Sequence, residues 1–286
     1  MASLAKNILQ FRSKITGKLN TPDFRVYCYK NNKPISFFHD VPLTSDKDTF
    51  NMVTEIPRWT QAKCEISLTS PFHPIKQDLK NGKLRYVANS FPYHGFIWNY
   101  GALPQTWEDP NVIDSRTKMK GDGDPLDVCE IGGSIGYIGQ IKQVKVLGAL
   151  GLIDQGETDW KILAIDINDP RAKLLNDISD VQNLMPRLLP CTRDWFAIYK
   201  IPDGKPKNRF FFDGNYLPKS DALDIIAQCH QHWKVSRDRK QYIKNFHNES
   251  VNNVDLINKI NSLKEEVSQN VSNYPSFPYF HTIPNL

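Results

Sequence analysis

The stretch IGYIGQIKQVKVLGALGLI (135–153) limits the fold more than any other part of the chain. Its Ile, Val and Leu content favours strand, while Gly136, Gly139, Gly148 and Gly151 weigh against a helix. Glycines spaced this way suggest strands that bend round a closed barrel. The following WKILAIDI (160–167) is an almost continuous apolar run, as in a strand buried on both faces. Upstream, FRVYCY (24–29), FNMVTEI (50–56), AKCEISL (62–68) and KLRYV (83–87) read as further strands, with NNKP (31–34) as a turn.

Helical patterning comes later. DISDVQNLM (177–185) puts Ile178, Val181 and Met185 on one face, and TRDWFAIYK (192–200) is a short helical stretch. SDALDIIAQCHQHWK (220–234) opens on a Ser220 cap and aligns Leu223, Ile226, Ala227 and His230. Leu256, Ile260, Leu263 and Val267 suggest one more amphipathic helix, and YPSFPYFHTIP reads as an extended arm. The expected architecture is mixed and mainly β, a barrel core with flanking helices. Its divisions are a basic N-terminal segment (1–21), the barrel domain (22–235) and a C-terminal extension (236–286).

A chain of 286 residues with 40% apolar residues can bury a sizeable core. The net charge of +5 arises from 36 basic and 31 acidic residues without a long Lys/Arg run, which argues against a nucleic-acid-binding arm. No stretch approaches the 18 or so consecutive apolar residues of a membrane span, so no membrane insertion is expected. Cys28, Cys64, Cys129, Cys191 and Cys229 form no C-x-x-C pair, and reduced thiols are the default. Residues 1–22 hold Lys6, Arg12, Lys14 and Lys18 and no acid. That pattern reads as a mitochondrial presequence, with the matrix as expected location; the plainer reading is a basic arm leading into the first strand.

GDGDPLDVCE (121–130) gathers Asp122, Asp124 and Asp127 in a segment too rich in glycine and proline for a helix or a regular strand. Taken alone it could be an ordinary acidic turn. Three carboxylates so close repel one another unless a cation neutralises them, and hard divalent ions take such oxygen ligands. A helix–loop–helix calcium site does not fit, because its positions 5, 6 and 12 would be Leu126, Asp127 and Gly133. LIDQGETDWKI (152–162) adds Asp154, Glu157, Asp159 and Lys161, and Glu55, Lys63 and Glu65 form a third group. Arg85, Tyr100, Tyr199 and Lys200 are donors set beside apolar residues. Many carboxylates with several Lys, Arg and Tyr donors suit a small polyanion held by metal ions. No G-x-x-x-x-G-K-[ST] phosphate loop is present.

GDGDPLDVCEIG resembles the D-x-D-P-hydrophobic-D signature of soluble family I inorganic pyrophosphatases. TEIPRWTQAKCEI (54–66), NGKLRYV (81–87), FPYHGFIWNYGALPQTWEDP (91–110), DQGETDWKILAIDINDP (154–170) and WFAIYKIPDGKP (195–206) resemble family segments in the expected order. The resemblance runs from about residue 22 to about 235, in the fungal-like version. It implies a five-stranded OB-type barrel, usually a homodimer, that uses several Mg²⁺ ions to hydrolyse pyrophosphate to two phosphates through a metal-bridged hydroxide. By position, Asp122, Asp127 and Asp159 would hold one metal, with Asp127 also touching a second. Glu65, Asp154 and Asp159 would bind metals arriving with the substrate. Asp124 would orient and deprotonate the attacking water. Arg85, Lys63, Lys161, Tyr100, Tyr199 and Lys200 would hold the phosphates, Tyr100 being the candidate phenolic catalytic group, and Glu55 would support them from behind. Arg58, Trp59 and His94 resemble a dimer contact. Phe96 stands where family members commonly have Tyr, which leaves Tyr100 as the candidate phenol.

Two other readings remain. A catalytically silent relative serving as an interaction module would have lost ligands, yet every mapped carboxylate and base is present. A nucleotide phosphohydrolase would need a slot for a base, and the sequence identifies none.

Overall fold

The computed structural model describes residues 11–46, 48–238 and 254–263. Its first strands are β1 (Phe11–Thr16), β2 (Arg25–Lys30), β3 (Lys33–Ile35), β4 (Thr44–Asp46), β5 (Thr49–Ile56), β6 (Cys64–Ile66) and β7 (Ile75–Gln77). A small hairpin, β8 (Leu79–Lys80) and β9 (Lys83–Leu84), leads to β10 (Asn99–Ala102), β11 (Asp127–Glu130), β12 (Ile141–Asp154) and β13 (Glu157–Asp166). Four α-helices, α1 (Ile178–Leu184), α2 (Leu188–Ile198), α3 (Lys219–Asp238) and α4 (Val254–Ser262), two short 3₁₀ turns (Ile201–Asp203 and Phe211–Gly214), and two short strands, β14 (Arg209–Phe210) and β15 (Leu217–Pro218), complete the described elements.

The glycine-punctuated run becomes a turn-rich lead-in followed by one 14-residue strand, β12, rather than several strands. Its start pairs with β5, Ile141 opposite Val53 and Val144 opposite Phe50. Its remainder pairs with β13, with a register shift between Val146 and Gly148. One strand thus serves two edges and closes the ring β12–β13–β11–β10–β5. Gly148 is required at the bend, because a Cβ there would lie 2.6 Å from the Leu217 carbonyl oxygen and 3.0 Å from Ile178 Cβ. This five-strand ring matches the expected OB-type, mainly β fold. A second sheet, β1–β2–β7–β6 with β3 added to β2, packs beside it.

β13 is buried on both faces as its apolar run implies. Leu163 and Ile165 join the larger core with Trp98, Val181, Trp195 and Phe196, while Trp160, Ile162 and Ala164 join a second core under α3. The face α3 buries is Ala222, Ile225, Ile226, Cys229 and Trp233, and Ala227 is exposed. This corrects the stripe of Leu223, Ile226, Ala227 and His230, which is rotated by about one position. The helix also starts at Lys219, so Ser220 lies inside it and not at its cap. α1 begins where expected, behind a capping box in which the Asp177 side chain accepts from the helix backbone and Asp180 reaches back. α2 starts four residues before the expected Thr192.

β1 lies within the segment read as an N-terminal extension, hydrogen-bonded along β2 from Phe11–Lys30 to Thr16–Arg25. Arg12 sits over the Tyr29 ring, and Lys14 Nζ donates to the carbonyls of Ile260 and Asn261 at the end of α4. α4 buries Ile260 against Tyr29 and Phe72, while Leu263 is exposed. The side chain of Leu256, and Val267 and the YPSFPYFHTIP arm, lie outside the described residues, as do residues 1–10. No described helix is long and apolar enough to cross a membrane.

Candidate active site

The parallel pairing of β11 with β13 sets Asp127 opposite Lys161, and the antiparallel pairing of β10 with β11 sets Tyr100 opposite Cys129. Alternation along β13 then keeps Asp159 and Lys161 on the face of Leu163, at one end of the larger core. Lys161, 2% exposed, donates to the Tyr100 hydroxyl at 3.0 Å and to the Asp127 and Asp159 carboxylates. Three strands of the ring meet at one ammonium.

The other groups close round this centre. On β6 and the residue before it, Glu65 and Lys63 pair at 2.6 Å, side by side on one face as their spacing implies. The Lys63 N–H donates to the Arg85 carbonyl at 3.1 Å, and the Arg85 guanidinium pairs with Asp78 at 3.0 Å. Glu55, 4% exposed, accepts from the Ile66 N–H at 2.6 Å and ties β5 to β6. Asp154, the last residue of β12, pairs with Lys200 beyond α2. Tyr199 stacks on Trp195 at 4.8 Å. In the acidic loop the Asp124 N–H donates to Asp122 Oδ1 at 2.9 Å. All the residues expected from sequence line one cleft of about 250 Å³: Glu55, Lys63, Glu65, Arg85, Tyr100, Asp122, Asp124, Asp127, Asp154, Asp159, Lys161, Tyr199 and Lys200.

The cleft walls carry eight carboxylates and four cationic side chains, so a polyanion can enter only with added cations. Burial raises the pKa of Asp122 to about 9, with Asp159 and Asp124 adding to the rise. Burial also raises Asp159 to about 6 against the pull of Lys161. Asp124 opens on the cleft; desolvation by its walls, then Glu65 and Asp127, push it up to about 7. Burial opposes charge on Lys161, but Asp127 and Asp159 outweigh it and hold its pKa well above the ordinary lysine range. Burial raises Glu55, Tyr100 and Tyr199 as well.

One member escaped the sequence reading. Glu108, 3% exposed, joins Asp122 and Asp159 in a group whose ligand atoms lie within 4.8 Å of one another. Its N–H donates to the Asp124 carbonyl at 2.9 Å, and its own carbonyl accepts from Gly123 at 2.8 Å. Gly121 permits this approach, since a Cβ there would meet the Glu108 carbonyl at 2.4 Å. No periodicity marks Glu108; only its place in QTWEDP, within a segment that carries the resemblance, signalled it. Its Oε1 accepts from the Trp160 N–H at 3.0 Å, while Oε2 is buried without a partner. Three carboxylates crowded this closely are a hard-oxygen donor set, which fits Mg²⁺. Phe96, by contrast, brings no polar group: it is buried between Tyr100 at 5.1 Å and Trp195 at 4.9 Å.

The sequence profile of the inorganic pyrophosphatase family matches residues 52–234. The chain is 56% identical to the inorganic pyrophosphatase of Schizosaccharomyces pombe over 227 residues, covering 79% of this chain and 78% of the relative. It is 57% identical to that of Kluyveromyces lactis over 228 residues, covering 79% of each. The solved inorganic pyrophosphatase of Schistosoma japonicum superposes with a TM-score of 0.79 at 44% identity, covering 96% of this chain and 97% of that one. An N-terminally truncated vacuolar soluble pyrophosphatase of Trypanosoma cruzi in complex with PPi gives a TM-score of 0.76 at 40% identity, covering 80% and 92%. With the ring of strands, the carboxylate-lined cleft and these likenesses in agreement, the chain belongs to the inorganic pyrophosphatase family.

Proposed function

We propose that the cleft hydrolyses inorganic pyrophosphate to two orthophosphates with Mg²⁺ as cofactor. The observation that carries this reading is the cleft's excess of carboxylates over cationic groups, grouped so that acids and phosphate donors face one another across about 250 Å³. When bound, Mg²⁺ offsets the charge of the diphosphate and lowers the pKa of water. Asp122, Asp127 and Asp159, with Glu108 beside them, would hold it at the centre, and Glu65 and Asp154 would hold ions nearer the substrate. Asp124, a carboxylate that opens on the cleft beside Asp122 and Asp127, takes the proton of the attacking water. Arg85, Lys63, Tyr199 and Lys200 donate to phosphate oxygens, so the leaving phosphate departs with its charge partly offset. Lys161 and Tyr100, already hydrogen-bonded together, serve the phosphate nearest the centre. Glu55, at the base of the cleft, ties β6 to β5 through the Ile66 N–H behind Lys63 and Glu65.

Phosphate release from pyrophosphate with Mg²⁺ tests this, for wild type and Asp124→Asn side by side. Removing a general base costs on the order of 10²–10⁴-fold in rate. Equal release from both proteins would refute the role of Asp124, and none from folded wild type would favour a silent interaction module.

The same reading extends to assembly and location. Trp59 is 52% exposed under the Arg58 guanidinium, and its N–H bonds to the Phe96 carbonyl, which brings it near exposed His94. A homodimer would cover this patch, and sedimentation of wild type against Trp59→Ser checks it. The acid-free N-terminus supports a mitochondrial matrix location. A cleaved leader that ends before β1 would keep only Lys6 of the four bases, since Arg12, Lys14 and Lys18 lie in or beyond that strand; sequencing the N-terminus of the protein from mitochondria would read its end directly.

A further inference from the structure

Behind the carboxylate cluster is a second, much smaller pocket with about 20 Å³ of room, lined in part by Glu108, Thr158, Gln228, Cys229 and His232. Two residues of its wall each carry a buried polar atom without a hydrogen-bond partner: Glu108 at Oε2 and His232 at Nδ1. Buried polar atoms in folded proteins nearly always have a partner, so two unpartnered atoms on one pocket call for a common explanation. A water needs roughly 10–15 Å³ and two to four polar neighbours. The pocket therefore takes one water and no larger ligand.

Several other polar groups nearby are already engaged. Gln228 Oε1 accepts from Arg116, the Thr158 and Thr117 hydroxyls pair at 2.6 Å, and Asp114 accepts from the backbone of Arg116 and Thr117. In the ionised form that ligates a metal, Glu108 Oε2 can only accept. His232 Nδ1 accepts or donates according to its tautomer, and a water satisfies both cases. It donates to the carboxylate, and at the imidazole it either donates its second proton or accepts.

We propose that one ordered water bridges Glu108 Oε2 to His232 Nδ1, which makes His232 a positioning residue that holds Glu108 within the metal-binding cluster. The inference rests on the reading of Glu108, Asp122 and Asp159 as metal ligands. Glu108 is then fixed at both oxygens, by the Trp160 backbone on one side and by α3 through the water on the other. The docking of α3 on the ring thereby reaches the metal cluster.

Mn²⁺ binding to the full-length, substrate-free protein, followed by the loss of the free-ion EPR signal, tests the link. His232→Phe keeps the ring's bulk and removes its nitrogens. Losing a group that orients a metal ligand typically costs 10–100-fold in affinity, and action through a water points to about 10-fold. His232→Asn sets a polar atom near the position of Nδ1 and restores most of the loss. Unfolding in EDTA with unchanged cooperativity shows that both variants are folded. A high-resolution crystal structure of the wild type shows a water within hydrogen-bond reach of both atoms. Equal Mn²⁺ binding by wild type and His232→Phe overturns this inference alone, as does a dry pocket or binding by His232→Asn as weak as that by His232→Phe. Absence of Mn²⁺ binding in the wild type overturns the metal reading together with it.

Discussion

Lys161→Met is the sharpest probe of the centre, because one ammonium there serves two carboxylates and a phenol. Lys161 is 2% exposed and Asp159 4% exposed, so neither has water to fall back on. Methionine has a similar length and leaves no void, which isolates the charge. Removing one partner of a buried ion pair costs about 3–5 kcal/mol, because the remaining charge is stranded. At about 2 °C per kcal/mol for a chain of this size, that is a drop of roughly 6–10 °C in Tm in EDTA. The penalty depends on pH in a definite direction. Asp159 already titrates near 6 with Lys161 pulling its pKa down, so without the lysine it titrates higher still. Its carboxylate protonates as pH falls through that value and the stranded charge vanishes, so the penalty present at pH 8 shrinks at pH 5. Mg²⁺ recovers most of the lost stability at pH 8, because the cation takes the place of the ammonium beside Asp127 and Asp159. Calorimetry at pH 5 and 8, with EDTA or Mg²⁺, measures all four corners. A variant within 1 °C of wild type in EDTA at pH 8, or one that Mg²⁺ leaves unrescued, would refute the reasoning.

Wild-type protein in EDTA should lose stability as pH rises from about 4 to about 9, since Asp122 and Asp159 bind protons more tightly folded (about 9 and about 6) than unfolded (3.8). Urea midpoints across that window check the sign, and saturating Mg²⁺ should flatten or reverse the slope. Phe96→Tyr introduces a hydroxyl beside Tyr100 in a buried aromatic cluster; activity should survive with a shifted pH–rate profile, and an unchanged profile would show that this position has no part in proton balance.

The carboxylates were legible in the chain because a metal site for a polyanion needs an unusual density of like charge, and GDGDPLD cannot hide that density in helical or strand periodicity. The apolar run of β13 announced a strand buried on both faces for a similar reason: no solvent-facing position breaks it. Residues 135–153 announced β character and bending, but not that a single strand pairs with both β5 and β13. That depends on which edges are free when the ring closes, and on Leu217 and Ile178 approaching Gly148. The face of α3 was misplaced by about one position because its amphipathic signal is shallow, so contact with the second core decides which residues turn inward. Glu108 was missed because its role comes from a backbone clamp to Gly123 and Asp124 and from the Trp160 N–H. By itself, then, the sequence determined the chemical inventory, since charge and donor type belong to the residues. Only the tertiary structure decided which of these groups share an ion and which oxygen is left for a water, because those are relations across strands whose register no local pattern encodes.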